Sequence, residues 1–248
     1  MKKVAEICCD SLEGALIAEK AGADRIELNS SMYLYGLTPS IGTIDLVTRH
    51  CHIPIVAMAR PRPGGFRYNE NEFQTMYADI EAMLDYNIEG IAFGCLDEHR
   101  EIDKDQCEKI VDLIHKYDKD AIFHRAFDAV EDPFQSIETL IDLGVKRVLT
   151  GGLTEKAVNG INLLAALQEK YGDKIEILAG GGVTSGNVAD LIRQTGISQY
   201  HSSCKSWRKD PTTVNRHMSF AFAQPPHEEY YNVVDYERAV QFVASVKK

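Results

Sequence analysis

Eight short apolar runs, each parted from the next by a stretch with helical spacing, constrain this chain more than any other feature. The runs cover residues 4–9, 25–29, 54–59, 90–95, 121–127, 147–150, 175–179 and 199–203, each of strand length. Between them, apolar residues recur at helical intervals, as at Ile110, Val111 and Ile114 or Leu163, Leu164 and Leu167. Capping chemistry marks the expected helix starts: Asp10 with Glu13 as a capping box, Thr38-Pro39, Asp103, Asp132-Pro133, Thr154 and Thr184. Gly22 and Gly144, each just ahead of a strand, suit the left-handed residue that ends a helix.

Eight β/α units in 248 residues predict an α/β fold, a TIM (β/α)8 barrel with residues 1–248 as one domain. An open doubly wound sheet would want a glycine fingerprint after its first strand, and Cys8-Cys9-Asp10-Ser11 supplies none. Residues 205–234 fit no β/α template. With Pro211, Pro225 and Pro226 they read as an irregular segment after the last strand, before a closing helix over 236–246.

Charge and cysteine usage narrow the function. A net charge of −10 and an isoelectric point near 5.3 argue against nucleic acid and anionic membranes as partners. No apolar run is long enough to span a bilayer. Met1-Lys2-Lys3 imitates the start of a signal peptide, but Glu6, Asp10 and Glu13 interrupt any apolar core behind it. The six cysteines, at 8, 9, 51, 95, 107 and 204, form no CxxC pair and read as reduced thiols of a cytoplasmic protein.

In such a barrel, chemistry gathers at the carboxyl ends of the strands. The most telling stretch is 121–128, where His124 and Arg125 adjoin Ile122, Phe123 and Phe127. Neighbours on a strand point to opposite faces, and buried charge is costly unless paired, so this reads as a functional strand end. Other strand ends add Glu6 and Cys8, then Arg25, Glu27 and Asn29, then Met58, Arg60 and Arg62, and later Asp128, Thr150, His201 and Ser202. Glu6, Glu27, His124 and Arg125 are the expected catalytic set, although any one Glu–Arg pair also suits a purely structural ion pair. Arg60-Pro61-Arg62 followed by Gly64 and Gly65 suits an anion clamp, or else a rigid loop paired with Glu70 or Glu72. Gly181 and Gly182, in a three-glycine run leading to Thr184, add an expected phosphate site built from backbone N–H groups.

Several motifs together resemble the CutC family, named for copper homeostasis. They are Glu6-Ile7-Cys8-Cys9-Asp10-Ser11, Gly22-Ala23-Asp24-Arg25-Ile26-Glu27-Leu28, Gly36-Leu37-Thr38-Pro39-Ser40 and Arg60-Pro61-Arg62. Phe123-His124-Arg125-Ala126-Phe127-Asp128, Arg147-Val148-Leu149-Thr150 and the glycine run extend the match over roughly residues 4–204. The resemblance implies a cytoplasmic TIM barrel, commonly a homo-oligomer, that binds Cu(I). It implies a site with two cysteines, of which the first matches Cys8, while the second position holds Asn29. An amide is a poor ligand for Cu(I), which prefers thiolate or thioether sulfur.

Two readings follow. One is a copper-homeostasis protein binding Cu(I) through Cys8 with Met58, His124, His201 or Cys204. The other is an enzyme acting on a small phosphorylated or carboxylated metabolite through Glu/His acid–base chemistry.

Overall fold

The computed structural model of the chain describes residues 2–248. Its strands are β1 (Val4–Cys9), β2 (Arg25–Leu28), β3 (Ile55–Met58), β4 (Gly90–Phe93), β5 (Asp120–Phe123), β6 (Arg147–Thr150), β7 (Glu176–Ala179) and β8 (Gln199–Ser202). They pair in sequence order, all parallel, and β8 returns to β1 with Glu6 opposite His201, closing the expected TIM barrel. Helices α1 (Leu12–Lys20), α2 (Ile41–His50), α3 (Glu70–Leu84), α4 (Lys104–His115), α5 (Pro133–Asp142), α6 (Ile161–Tyr171) and α7 (Val188–Thr195) fill the connections. The closing helix, α8 (Tyr236–Val246), has the predicted bounds. Among the described residues no helix is long and apolar enough to cross a membrane.

Strand alternation divides the apolar residues into two cores. Outward positions such as Ala5, Ile7 and Cys9 pack with helix residues Ala15 and Ala18 in the large layer between sheet and helices. Inside the barrel the apolar cluster is small: Val56, Met58, Ala92 and Ile122, all from β3, β4 and β5. The inner wall of β1, β2 and β8 is polar instead, with Glu6, Arg25, Glu27, Gln199 and His201 all buried.

The amino-terminal end is closed by charge. Arg25 pairs with Glu6, donates to Gln199 at 2.9 Å and lies 3.7 Å from Glu89. Arg147 donates to Glu176 at 2.8 Å and lies 3.4 Å from Glu89. Arg25 was expected at the mouth, yet as the first residue of its strand it belongs to this floor.

Four local expectations are corrected. The fifth run stops being a strand at Phe123, and a 3-10 helix follows over Arg125–Ala129 with His124 as its cap. Ser11 rather than Asp10 caps α1, and Ser40 rather than Thr38 caps α2, in each case with the hydroxyl nearest the first turn. Thr154 and Thr184 cap nothing, because the loops after β6 and β7 run on, to Gly160 and Asn187, before a helix begins. Residues 205–234 are not all irregular: β9 (Lys205–Lys209) and β10 (Tyr230–Val234) form an antiparallel hairpin. The caps at Asp103 and Asp132 and the left-handed Gly22 (φ +84°) and Gly144 (φ +80°) are as expected.

Candidate functional site

A cavity of about 1010 Å³ opens at the carboxyl ends of the strands. Cys8, Glu27, Met58, His124, Leu149 and His201 face it from the barrel, and Gly181 and Gly182 from its rim. The base of the hairpin, at Lys205, Asn232 and Val234, walls one side, and Met32 and Tyr33 from the β2 loop stand nearby.

The deepest titratable groups come from three adjacent strands, β8, β1 and β2. His201 Nδ1 lies 2.7 Å from Glu6, and its Nε2 lies 3.9 Å from Glu27. Burial alone would push the Glu6 carboxyl up, but the Arg25 guanidinium and His201 outweigh it and hold Glu6 well below the usual carboxylate range. Burial would likewise pull His201 down; Cys8, Glu27 and Glu6 against its ring raise it well above the ordinary value of 6.5. Glu6 and His201 therefore form a buried carboxylate–imidazolium pair. Glu27 moves the other way: burial raises its pKa, with the Glu6 charge adding to the rise, while Asn29 Nδ2 donates to it at 2.9 Å. Two neighbouring carboxyls with pKa values driven apart are the usual preparation for acid–base work.

His124 does not join them. It lies beyond β5, with its ring 5.1 Å from that of Phe66, and burial together with the Arg60 charge lowers its pKa to about 3. The imidazole beside Glu6 is that of His201, which sequence reasoning placed at a strand end but outside the catalytic set. Glu6 and His201 are 195 residues apart and become neighbours only through the β8–β1 closure.

Arg125 lies on the opposite rim. Asp128 accepts from its Nε at 2.6 Å, and the Thr154 carbonyl accepts from Nη2 at 2.7 Å. Asp128 in turn accepts from Thr150 and from the amides of Gly151 and Leu153, which fixes the β6 loop. The guanidinium lies over glycine backbone: a Cβ on Gly181 would come within 3.2 Å of Arg125 Nη1. Gly181 (φ +100°) and Gly182 (φ +64°) adopt left-handed backbone that favours glycine. Gly180 donates its amide to the Thr150 carbonyl, whereas the Gly181 and Gly182 amides have no acceptor among the described residues.

The clamp expected of Arg60 and Arg62 does not form. Arg60 is buried and spends Nη1 and Nη2 on the carbonyls of Leu34, Gly36 and Gly64, pinning the loops that carry them. Arg62 points away from the cavity to Glu72 and to the carbonyls of Gly65 and Arg67, the structural alternative for this loop.

The sulfur and metal chemistry is limited. All six cysteines are free and buried, and Cys8 and Cys204 face the cavity. Burial pushes the Cys204 thiol up to about 11. Glu6, Glu27 and His201 offer ligand atoms within 4.8 Å of one another. They are hard oxygen donors and an imidazole already paired to carboxylate, and Arg25 already balances Glu6. Asn29 turns its Nδ2 to Glu27, and its Oδ1 lies against Gly36. This donor set does not suit Cu(I).

Comparison with known proteins gives a consistent result. A model described as the CutC family matches residues 3–206. A family protein CutC of Treponema denticola is 40% identical over 242 residues, covering 97% of this chain and 98% of its own. A human copper homeostasis protein cutC homolog is 40% identical over 203 residues, covering 82% of this chain and 74% of its own. The crystal structure of CutC from Streptococcus agalactiae superposes with a TM-score of 0.77 at 31% identity, covering 81% of this chain and 98% of that one.

Proposed function

Since the chain belongs to the CutC family, we propose that its barrel mouth is an acid–base active site for a small anionic metabolite. Glu27 transfers the proton, the Glu6–His201 pair holds fixed charge beside it, and Arg125 with the Gly181 and Gly182 amides binds the anion. The observation that carries this reading is the buried cluster of Glu6, Glu27 and His201, with polar atoms within 4.8 Å of one another and with Glu27 and His201 lining an open cavity. The opposed pKa shifts of the two carboxyls support it. Raising the Glu27 pKa makes its carboxylate a stronger base, and the floor of paired charges keeps bulk water from reaching it from below.

Copper handling is the second reading, favoured by the relatives' names and by the two free thiols at the mouth, Cys8 and Cys204. The six free thiols suit a reducing compartment, and we place the protein in the cytoplasm.

Paired titrations on the reduced protein test the two readings. Inorganic phosphate should bind the wild type and bind Arg125→Gln about 10-fold more weakly, since a hydrogen bond to a charged group contributes about 1.5–3 kcal/mol. In competition with a Cu(I) chelator the wild type should show no stoichiometric binding, and Asn29→Cys should bind more tightly. Tight one-to-one Cu(I) binding that disappears in Cys8→Ser, without any phosphate binding, would overturn the acid–base reading.

A further inference from the structure

We propose that His124 is the oxyanion donor of this site, its Nε2–H holding a carbonyl oxygen of the substrate, and that the substrate is therefore an anionic, enolisable carbonyl compound. The inference rests on the acid–base reading above and names the substrate class for it.

The tautomer is fixed by geometry. The backbone N–H of Ala126 donates to His124 Nδ1 at 3.1 Å. A backbone amide can only donate, so Nδ1 carries its lone pair and the ring proton resides on Nε2. That Nε2 is buried, has no hydrogen-bond partner, and belongs to a ring that lines the cavity. A buried donor without an acceptor is rare in a folded protein and is explained when a ligand entering the cavity displaces the cover over Nε2 and brings the acceptor with it.

The ring is also held in place. A Cβ on Gly94 would lie 2.6 Å from His124 Cε1, so only glycine there leaves room for the imidazole. Phe66 and Phe123 flank it at 5.1 and 6.2 Å between ring centroids. Burial and the Arg60 charge keep it neutral at physiological pH, so it can donate a hydrogen bond but takes up no proton.

A carbonyl suits this position better than the anion itself. Phe66 and Phe123 flank the ring, and the nearby Arg60 spends its Nη groups on backbone carbonyls. The donor left over at this position is therefore a neutral one, which would compensate little of the desolvation of a phosphate or carboxylate. A carbonyl oxygen costs little there at rest and is held more strongly as charge develops on it. Glu27 faces the same cavity from β2, three strands around the ring from β5.

The step this arrangement performs is proton abstraction beside the carbonyl. Glu27 carboxylate takes the proton from the adjacent carbon, the C–H electron pair becomes the C=C bond, and the carbonyl π pair moves to the oxygen at His124 Nε2–H. Return of the proton from Glu27 to the same carbon, from either face, regenerates the carbonyl with its π bond restored, so no oxidant or further reactant is needed.

The probe is phosphoglycolohydroxamate, which joins a phosphate to a planar group bearing the two oxygens of an enediolate. It should bind the wild type at least about 10-fold more tightly than inorganic phosphate does, the gain expected for a hydrogen bond to developing charge. His124→Phe should lose that gain while its phosphate affinity stays within about 2-fold. His124→Gln, which keeps a donor nitrogen near the Nε2 position, should retain part of it. Nitrogen-15 NMR of the wild type should show the neutral Nε2–H tautomer at pH 7, with that resonance shifted by the probe. A gain that survives in His124→Phe, no gain in the wild type, or an imidazolium or Nδ1–H form would overturn the inference while leaving the anion site standing. If phosphate fails to bind but the probe still shifts Nε2–H, the anion site falls and the His124 assignment holds. If neither ligand binds, both fall.

Discussion

His201 sits between two carboxyls and its charge lowers the pKa of both, although burial and the Glu6 charge leave Glu27 raised. Removal of His201 has a defined pH signature. Its folded pKa is raised, so its contribution to stability is complete below 6.5 and is given up as pH rises through the folded value. The depressed Glu6 contributes fully above its ordinary 4.5 and gives this up as pH falls through its folded value. The stability difference between wild type and His201→Gln should therefore peak between those two limits and shrink on either side. Arg25 still neutralises Glu6 in the variant, so the peak difference should be about 2 kcal/mol, less than for breaking an isolated buried pair. Urea unfolding across the pH range measures it, and a difference independent of pH would disprove the imidazolium assignment. At this scale the sequence was informative about residue type and weaker about company. Glu6, Glu27 and His201 stand out as polar residues on apolar runs, but their meeting depends on strand register that no local pattern encodes. His124 shows the opposite case: its position was legible, while its role turned on one bond from Ala126, a local turn that replaced the expected strand.

Among the elements, the β9–β10 hairpin is the least secured. It is two-stranded and largely half-exposed, and such a pair is marginal without support. Its tethers are few: Arg208 donates to Glu13 of α1 at 2.7 and 2.8 Å, and Phe222 packs 4.6 Å from Tyr33. Trp207, the single tryptophan, stacks on His227 at 4.5 Å within it. Tryptophan emission should therefore shift at lower urea than the far-ultraviolet circular dichroism of the barrel, and Arg208→Ala should widen the separation. Coincident transitions for both probes would show that hairpin and barrel unfold as one unit. The hairpin was hidden in the sequence because Pro211, Pro225 and Pro226 lie between its strands and speak for loop. The barrel strands were plain because their outward faces are largely apolar, with Thr150 and Ser202 as polar exceptions near strand ends. Their caps slipped by a residue or more where several hydroxyl or carboxyl candidates adjoin, as at Asp10 and Ser11, and only backbone geometry selects among them.

On the scale of the whole molecule, the eightfold alternation dictated the barrel, since each unit must bury one face of a strand and one stripe of a helix. What alternation could not foretell is how the interior divides between an apolar arc on β3, β4 and β5 and a charged arc on β1, β2 and β8. That division gives the cavity its chemistry. The network of Arg25, Glu89, Arg147 and Glu176 beneath it has a consequence for traffic. A vessel sealed at its base has a single doorway, so whatever occupies it must depart by the route its successor needs. Arrival and departure are thus mutually exclusive, and the hairpin beside the doorway stands where both must pass.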